Sequence, residues 1–492
     1  MNKGEFILRV LEILVTFLSI ALFLSIFFCN KEKQNSIIKI IIGLTILYLI
    51  VTLQIIFEGY RWQMLLGYIV PLFLTLTIAL FPIFKSKKKH WWWGITAFSI
   101  VYIVVMVGLP VLFPIFSFEK PTGEYFIGTK SYHIIDMNRK EVRSSDKGKH
   151  RELMIQIWYP SKEENSLQPE RYIKEVGAIT AGIERALSFP AWTLSHLNLV
   201  KAHAKENLAI SSDKNNFPIL IFSHGMTGFR NQNTFQIEKL VSHGYIVVGI
   251  DHVYDAAATV FPNGEEVLLE PNNLSGFEGL DQHMEIWTED VSFVLDTLEE
   301  WNSDKGMDFL SGKLNMDKIG MFGHSYGGAA AAQMLLKDVR IKVALNMDGV
   351  LYGEPIPTVG FSKPYMQMNA VKSIDKSIFD TSLDAAISLS GKSRSSYEAF
   401  WKESQERREN ASKGKGFTMV IPNTSHMSYT DFHLFSPLLC NKGEDIRKVH
   451  KIINELSLAF FDEFLLEKKS GLIWDKANKY PEISLHSSIE ED

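Results

Sequence analysis

Ile319-Gly320-Met321-Phe322-Gly323-His324-Ser325-Tyr326-Gly327-Gly328 is the stretch on which the reading of the chain turns. Ile319–Phe322 reads as a short buried strand, and Gly327–Leu336, with its Ala329–Ala332 run, reads as a helix. Between them lies G-x-S-x-G. A serine there must occupy a sharp strand-to-helix turn that lifts its hydroxyl clear of a sheet. Gly323 and Gly327 let neighbouring backbones come close. The new helix aims its N-terminus at the same place, which favours developing negative charge. Ser325 is therefore the candidate nucleophile.

Working outward, Pro218–Ser223, Tyr245–Ile250, Val343–Asn346, Tyr365–Asn369 and Phe417–Ile421 read as apolar strands. Thr234–Ser242 and the amphipathic Ile286–Trp301 read as helices between them. Strands alternating with helices imply a buried parallel sheet with right-handed crossovers. Before it, Tyr125–Lys130, Tyr132–Met137 and Glu152–Tyr159 resemble antiparallel opening strands. Residues 161–211 form a mixed segment. Phe189, Trp192, Leu194, Leu197 and Leu199 there belong either to a cap over a pocket or to ordinary packing.

In a parallel sheet, chemistry gathers at the carboxyl ends of the strands. A serine hydroxyl needs a base. The chain has 14 histidines, so position must choose among them. His426 follows the Phe417–Ile421 strand and is the candidate base, with His433 as fallback; His324, beside the nucleophile, reads as structural. The base needs a carboxylate to hold its tautomer. Asp348 ends the strand after the elbow, with Asp375 as the rival; Asp251 lies on the other side and reads as structural or pocket-lining. The order Ser325, Asp348, His426 is that of an α/β-hydrolase fold, expected over residues 119–492. Two backbone N–H groups should receive the oxyanion. One is Tyr326, and the other is Met226 in Ser223-His224-Gly225-Met226.

Residues 1–118 are of another kind. Ile13–Cys29, Ile40–Phe57, Met64–Phe84 and Trp91–Phe118 are apolar and near bilayer-spanning length. Pro71, Pro82, Pro110 and Pro114 are tolerable in such helices, and Trp91–Trp93 suit an interfacial belt. A four-helix all-α transmembrane anchor over 1–118 is expected, with the lipid bilayer as partner. Lys31, Lys33, Lys39, Lys85, Lys87, Lys88 and Lys89 fall on one side, against Lys3, Arg9, Arg61 and Lys120 on the other. The richer side should be cytoplasmic, which places a multi-pass protein in the cell membrane with its second domain outside. Arg9 and Glu12, one turn apart, form a candidate ion pair.

The formal net charge of −5 gives no basic face for nucleic acid. With two cysteines, Cys29 and Cys440, and no clustered metal-ligand motif, neither a disulfide framework nor a metal or other cofactor is expected.

RELMIQIWYP at Arg151–Pro160, PILIFSHGMTGFR at Pro218–Arg230, Tyr245–His252, Gly323–Gly328 and Asn346–Gly349 together resemble the plasma-type platelet-activating factor acetylhydrolase family. The likeness spans residues 120–435. It implies a calcium-independent serine esterase that cleaves short or oxidised acyl chains from glycerophospholipids. It also implies Ser325, Asp348 and His426 as triad, with Met226 and Tyr326 as backbone donors. The four-helix anchor departs from the plasma enzyme. A general carboxylesterase or dienelactone-hydrolase-like enzyme for small soluble esters is one alternative. A non-catalytic membrane sensor or scaffold on the same fold is the other.

Overall fold

The computed structural model describes residues 9–28, 34–84, 89–163, 168–270, 274, 276–303, 309–390 and 392–488. Cys29, Lys3, Lys31, Lys33, Lys85, Lys87 and Lys88, which enter the reading above, lie outside the described residues. The chain divides into two compact units. One is Met1–Ser117 with Thr193–Val200 and Phe435–Leu438; the other is Phe118–Trp192, Lys201–Leu434 and Leu439–Asp492.

The first unit holds the helices α1 (Val10–Phe28), α2 (Gln34–Phe57), α3 (Leu65–Phe84) and α4 (Lys89–Leu112). Val15, Leu47, Val70, Leu74 and Met106 form its core. Polar groups join the start of α1, the end of α2, the turn before α3 and the end of α4. Arg61 donates to both Glu12 carboxylate oxygens, at 2.9 and 2.6 Å, and to the Phe113 carbonyl at 2.9 Å. Glu58 accepts from the free backbone amides of Leu11 and Glu12 at 2.8 and 3.2 Å, capping α1. Arg9 and Glu12 lie 3.2 Å apart, so the anticipated pair forms within a larger network. Helix α4 ends at Leu112, short of the expected Phe118, because Pro114 disfavours helical backbone at Phe113. Two stretches, Ile38–Phe57 and Trp62–Ala79, are long and apolar enough to cross a bilayer. The apolar stretches Val10–Ser25 and Thr96–Leu112 are shorter.

The second unit opens with β1 (Phe126–Lys140) and β2 (His150–Ser161), antiparallel to each other. The two short runs anticipated at 125–137 are one strand. Then come α5 (Val176–Leu187), β3 (Lys205–Glu206), β4 (Phe217–Ser223), α6 (Thr234–Ser242), β5 (Ile246–Asp251), β6 (Ala258–Val260), β7 (Glu266–Leu268) and α7 (Gly276–Asn302). The elbow joins β8 (Leu314–His324) to α8 (Tyr326–Lys337), followed by β9 (Ile341–Met347) and β10 (Phe361–Ala370). The chain finishes with α9 (Val371–Ile374), α10 (Lys376–Ser390), α11 (Arg394–Ala411), β11 (Gly414–Ile421), α12 (Ile446–Phe464), α13 (Leu472–Ala477) and β12 (Ser484–Ser487).

The main sheet has ten strands in the order β12-β11-β10-β9-β8-β4-β5-β2-β1-β3. From β5 to β11 the pairs are parallel; β2 and β12 join them antiparallel. Phe417–Ile421 is thus the last parallel strand but not the last strand, since Ser484–Ser487 pairs with it at the edge. Burial of all of β5, and of β4 except Pro218, explains their unbroken apolar runs. The core beneath includes Ile155, Ile221, Val248, Val291, Leu295, Met321 and Ala330. In the mixed segment, Leu194 and Leu197 are buried whereas Trp192 is exposed.

Candidate active site

Ser325 stands between β8 and α8 at φ 56°, ψ −121°. A non-glycine residue at positive φ costs on the order of 1–3 kcal/mol and persists only where its surroundings dictate it. Here they do. The Ser325 N–H donates to the Met347 carbonyl of neighbouring β9 at 2.9 Å. A Cβ on Gly327 would sit 2.1 Å from the Ser223 carbonyl oxygen, and one on Gly323 would sit 2.3 Å from the Gly327 carbonyl oxygen. Only glycine lets β4, β8 and α8 close this tightly around the turn.

The Ser325 hydroxyl lies 2.9 Å from His426 Nε2. His426 Nδ1 lies 2.7 Å from Asp348 Oδ2. The ring is 44 % exposed at the surface, whereas the Asp348 side chain is sealed at 0 %. The carboxylate also accepts from the Ala370 N–H at 2.8 Å and from the Ser373 hydroxyl at 2.7 Å. Burial works to raise the Asp348 carboxyl. Its hydrogen bond to His426 and the nearby Arg408 outweigh that and hold it below the usual carboxylate range. Asp348 is itself at φ 55°. Asn346 closes the turn, accepting from the Gly349 N–H at 2.7 Å and donating to the Gly349 carbonyl at 3.2 Å.

The rival residues are engaged elsewhere. Asp375 accepts from Ser377 and Ile378 amides, capping α10. His433 Nδ1 pairs with Glu444 at 3.1 Å, and Cys440 lies within 4.8 Å of both. Glu444 already accepts from the Asn441 N–H and amide group, so its oxygens serve as a brace. Asp251 receives the Arg230 N–H at 2.7 Å and pairs with its guanidinium. His324 does more than pack. Its Nε2 donates to the His426 carbonyl at 2.8 Å, and its Nδ1 accepts from Gln232 at 2.9 Å. Gln232 in turn accepts from the Gly225 N–H at 3.2 Å. Gln232 and Ser373 carried no sequence signal, because each acts across the fold and belongs to no local motif.

Among the described residues, neither the Met226 N–H nor the Tyr326 N–H donates to a protein acceptor. The Tyr326 hydroxyl donates to the Leu280 carbonyl at 2.6 Å, and its ring packs 5.5 Å from Tyr352. Leu280 and Tyr352, with Phe277, Tyr397 and Phe400, line a cavity of about 410 Å³.

Residues 116–278 and 289–484 match the family described as platelet-activating factor acetylhydrolase, isoform II. The chain belongs to that family. It is accordingly a carboxylic ester hydrolase. Within the acetylhydrolase family and its relatives, it is 25 % identical over 398 residues to a probable 1-alkyl-2-acetylglycerophosphocholine esterase of Arthroderma benhamiae. That alignment covers 75 % of this chain and 93 % of the relative. It is also 25 % identical over 327 residues to a platelet-activating factor acetylhydrolase of Cavia porcellus, covering 59 % of this chain and 68 % of the relative. A solved ferulic acid esterase from Streptomyces cinnamoneus superposes with TM-score 0.56 at 23 % identity, over 75 % of this chain and 99 % of that one. That last likeness is one of fold.

Proposed function

We propose that this acetylhydrolase-family member cleaves short or oxidised acyl chains from glycerophospholipids through Ser325, His426 and Asp348, and that four helices hold it in a membrane. The observation that carries the chemistry is the unbroken hydrogen-bond chain from the Ser325 hydroxyl through His426 to the buried Asp348. Ser325 Oγ attacks the ester carbonyl while His426 Nε2 takes its proton. The carbonyl oxygen becomes an oxyanion held by the Met226 and Tyr326 N–H groups. As the tetrahedral centre collapses, the ester C–O bond breaks and His426 returns the proton to the leaving alkoxide. Water then attacks the acyl-serine, with His426 as base again, and releases the carboxylic acid and free serine. Asp348 holds the Nδ1–H tautomer and stabilises the transient imidazolium.

The substrate class follows the two relatives named above and the cavity beside Tyr326. For the membrane, the support is the network joining one end of each of α1 to α4. Consecutive helices tied at the same end run antiparallel, as crossings do. Lysine and arginine bias then puts the hydrolase unit outside the cell.

The test is purified full-length protein in detergent. It should react with a fluorophosphonate probe, and the Ser325→Ala variant should not. It should hydrolyse 1-alkyl-2-acetyl-glycerophosphocholine faster than the long-acyl homologue. Equal activity toward soluble esters of every length, with none toward the phospholipid, would replace the lipid assignment by a general carboxylesterase.

A further inference from the structure

A second Ser–His–Asp chain lies behind the first. The Ser223 hydroxyl is 3.1 Å from His252 Nε2, and His252 Nδ1 is 2.9 Å from Asp290 Oδ2. Ser223, His252 and Asp290 are all at 0 % exposure, so no substrate reaches them. Asp290 is further held by Arg151, at 2.6 and 3.0 Å, and by Arg139 at 2.8 Å. The His252 ring stacks on Trp287 at 3.8 Å. This chain duplicates the hydrogen-bond pattern of the first in a place where it can only hold things still.

What it holds is the loop after β4. The His252 backbone N–H donates to His224 Nε2 at 3.1 Å. A ring nitrogen that accepts carries no proton, so the proton of neutral His224 is on Nδ1. Nδ1 is 2.6 Å from the Gly225 carbonyl oxygen, to which it must donate. The Gly228 N–H gives that oxygen a second bond, at 2.8 Å. Gly225 and Met226 share this peptide unit. In a planar trans peptide the C=O and the following N–H point in opposite directions. Pinning the Gly225 carbonyl therefore aims the Met226 N–H away from His224. The loop adjoins the nucleophile, since a Cβ on Gly225 would lie 3.2 Å from Ser325 Cβ. His224 is fully buried, and that burial lowers its pKa to about 3, keeping the ring neutral.

We propose that His224 is a positioning residue for the oxyanion hole: its Nδ1–H fixes the Gly225–Met226 peptide so that the Met226 N–H meets the developing oxyanion, and the buried Ser223–His252–Asp290 chain fixes the backbone that sets its tautomer. This rests on the assignment of Met226 as an oxyanion donor.

The experiment compares His224→Leu, which removes the donor, with His224→Asn, whose amide N–H can reach the same carbonyl. Both are made in the full-length protein and assayed on p-nitrophenyl acetate and with a trifluoromethyl ketone inhibitor. Losing one oxyanion donor costs about 10²-fold in kcat. His224→Leu is expected to lose on the order of that factor in kcat and in inhibitor affinity, with KM within about twofold, and His224→Asn to recover most of it. Wild-type kcat in His224→Leu overturns the proposal. So do equal losses in both variants accompanied by equal falls in melting temperature, the mark of a merely structural role. Should His224→Leu fail to fold, Ser223→Ala, a smaller change, should lower kcat by about threefold or more at constant KM, and unchanged kcat overturns the proposal. Fluorophosphonate labelling of wild-type Ser325 separates the two readings. No labelling sinks the hydrolase assignment; labelling with a fully active His224→Leu sinks only the positioning role.

Discussion

The backbone conformation of Ser325, on which its proposed role depends, is held by contacts with residues far from it in sequence. Its positive φ is maintained by close packing of β4, β8 and α8, for which Gly323 and Gly327 leave room. Gly327→Ala should therefore abolish activity and destabilise the fold by at least about 1–3 kcal/mol, because backbone rather than a flexible side chain would have to move. Thermal denaturation would show it; wild-type stability would mean that the elbow relaxes freely. Asp348→Asn should leave the fold intact but lower kcat by about 10²–10⁴-fold, since an amide no longer fixes the imidazole tautomer or its charge. Steady-state kinetics beside Asp375→Asn, expected to retain wild-type activity, would check which carboxylate serves His426.

At the scale of elements, two aspartates cap the helices α6 and α12. Asp431 accepts from the Thr234 and Phe235 amides at 2.7 and 3.3 Å, capping α6 from the loop that carries His426. Helix α12 packs Val449, Ile452, Ile453, Leu456 and Phe460 into the core and starts at its own cap, Asp445. Leu456 is at 0 % exposure. Leu456→Ala should cost about 2–5 kcal/mol through the cavity it leaves, with kcat unchanged wherever the variant stays folded. Equilibrium denaturation measures the first part and kinetics at low temperature the second. A kcat that falls with stability intact would mean that α12 reaches the site directly.

Across the whole molecule, buried neutral histidines set the response to acid. Burial lowers His224, His324 and His450 to about 3, against an unfolded value near 6.5. Between those values the unfolded chain binds protons that the native state refuses. Their contribution to stability is therefore lost as pH falls from about 6.5 toward 3, by about 1.4 kcal/mol per group per pH unit. The apparent melting temperature should drop steadily from pH 7 to pH 5. A flat profile would mean that these rings titrate freely in the native state. For the other unit, the expected membrane residence is tested by alkaline carbonate extraction, after which the protein should stay with the pellet. Release into the supernatant would exclude spanning helices.

Local chemistry was readable from sequence where it repeats or punctuates. The apolar run before Ser325, the glycines around it and the alternation of strands and helices predicted β4, β5 and α8 within one residue and the end of β8 within two, but β8 starts five residues earlier than expected, at Leu314. Nothing local marked α9 to α11, whose sequence is mostly polar and solvated, or the β12 edge strand. Chain order favoured Asp348 over Asp375, but both follow strands, and order along the chain does not show what each carboxylate touches. The order of strands in the sheet sets their partners, placing Asp348 on His426 and leaving Asp375 to cap a helix. Only folding brings Gln232, His324 and the His426 carbonyl into one bridge, and only folding buries a second Ser–His–Asp chain. Periodicity and motif are properties of neighbours along the chain, whereas hydrogen-bond partners are fixed by which strand ends the sheet sets side by side.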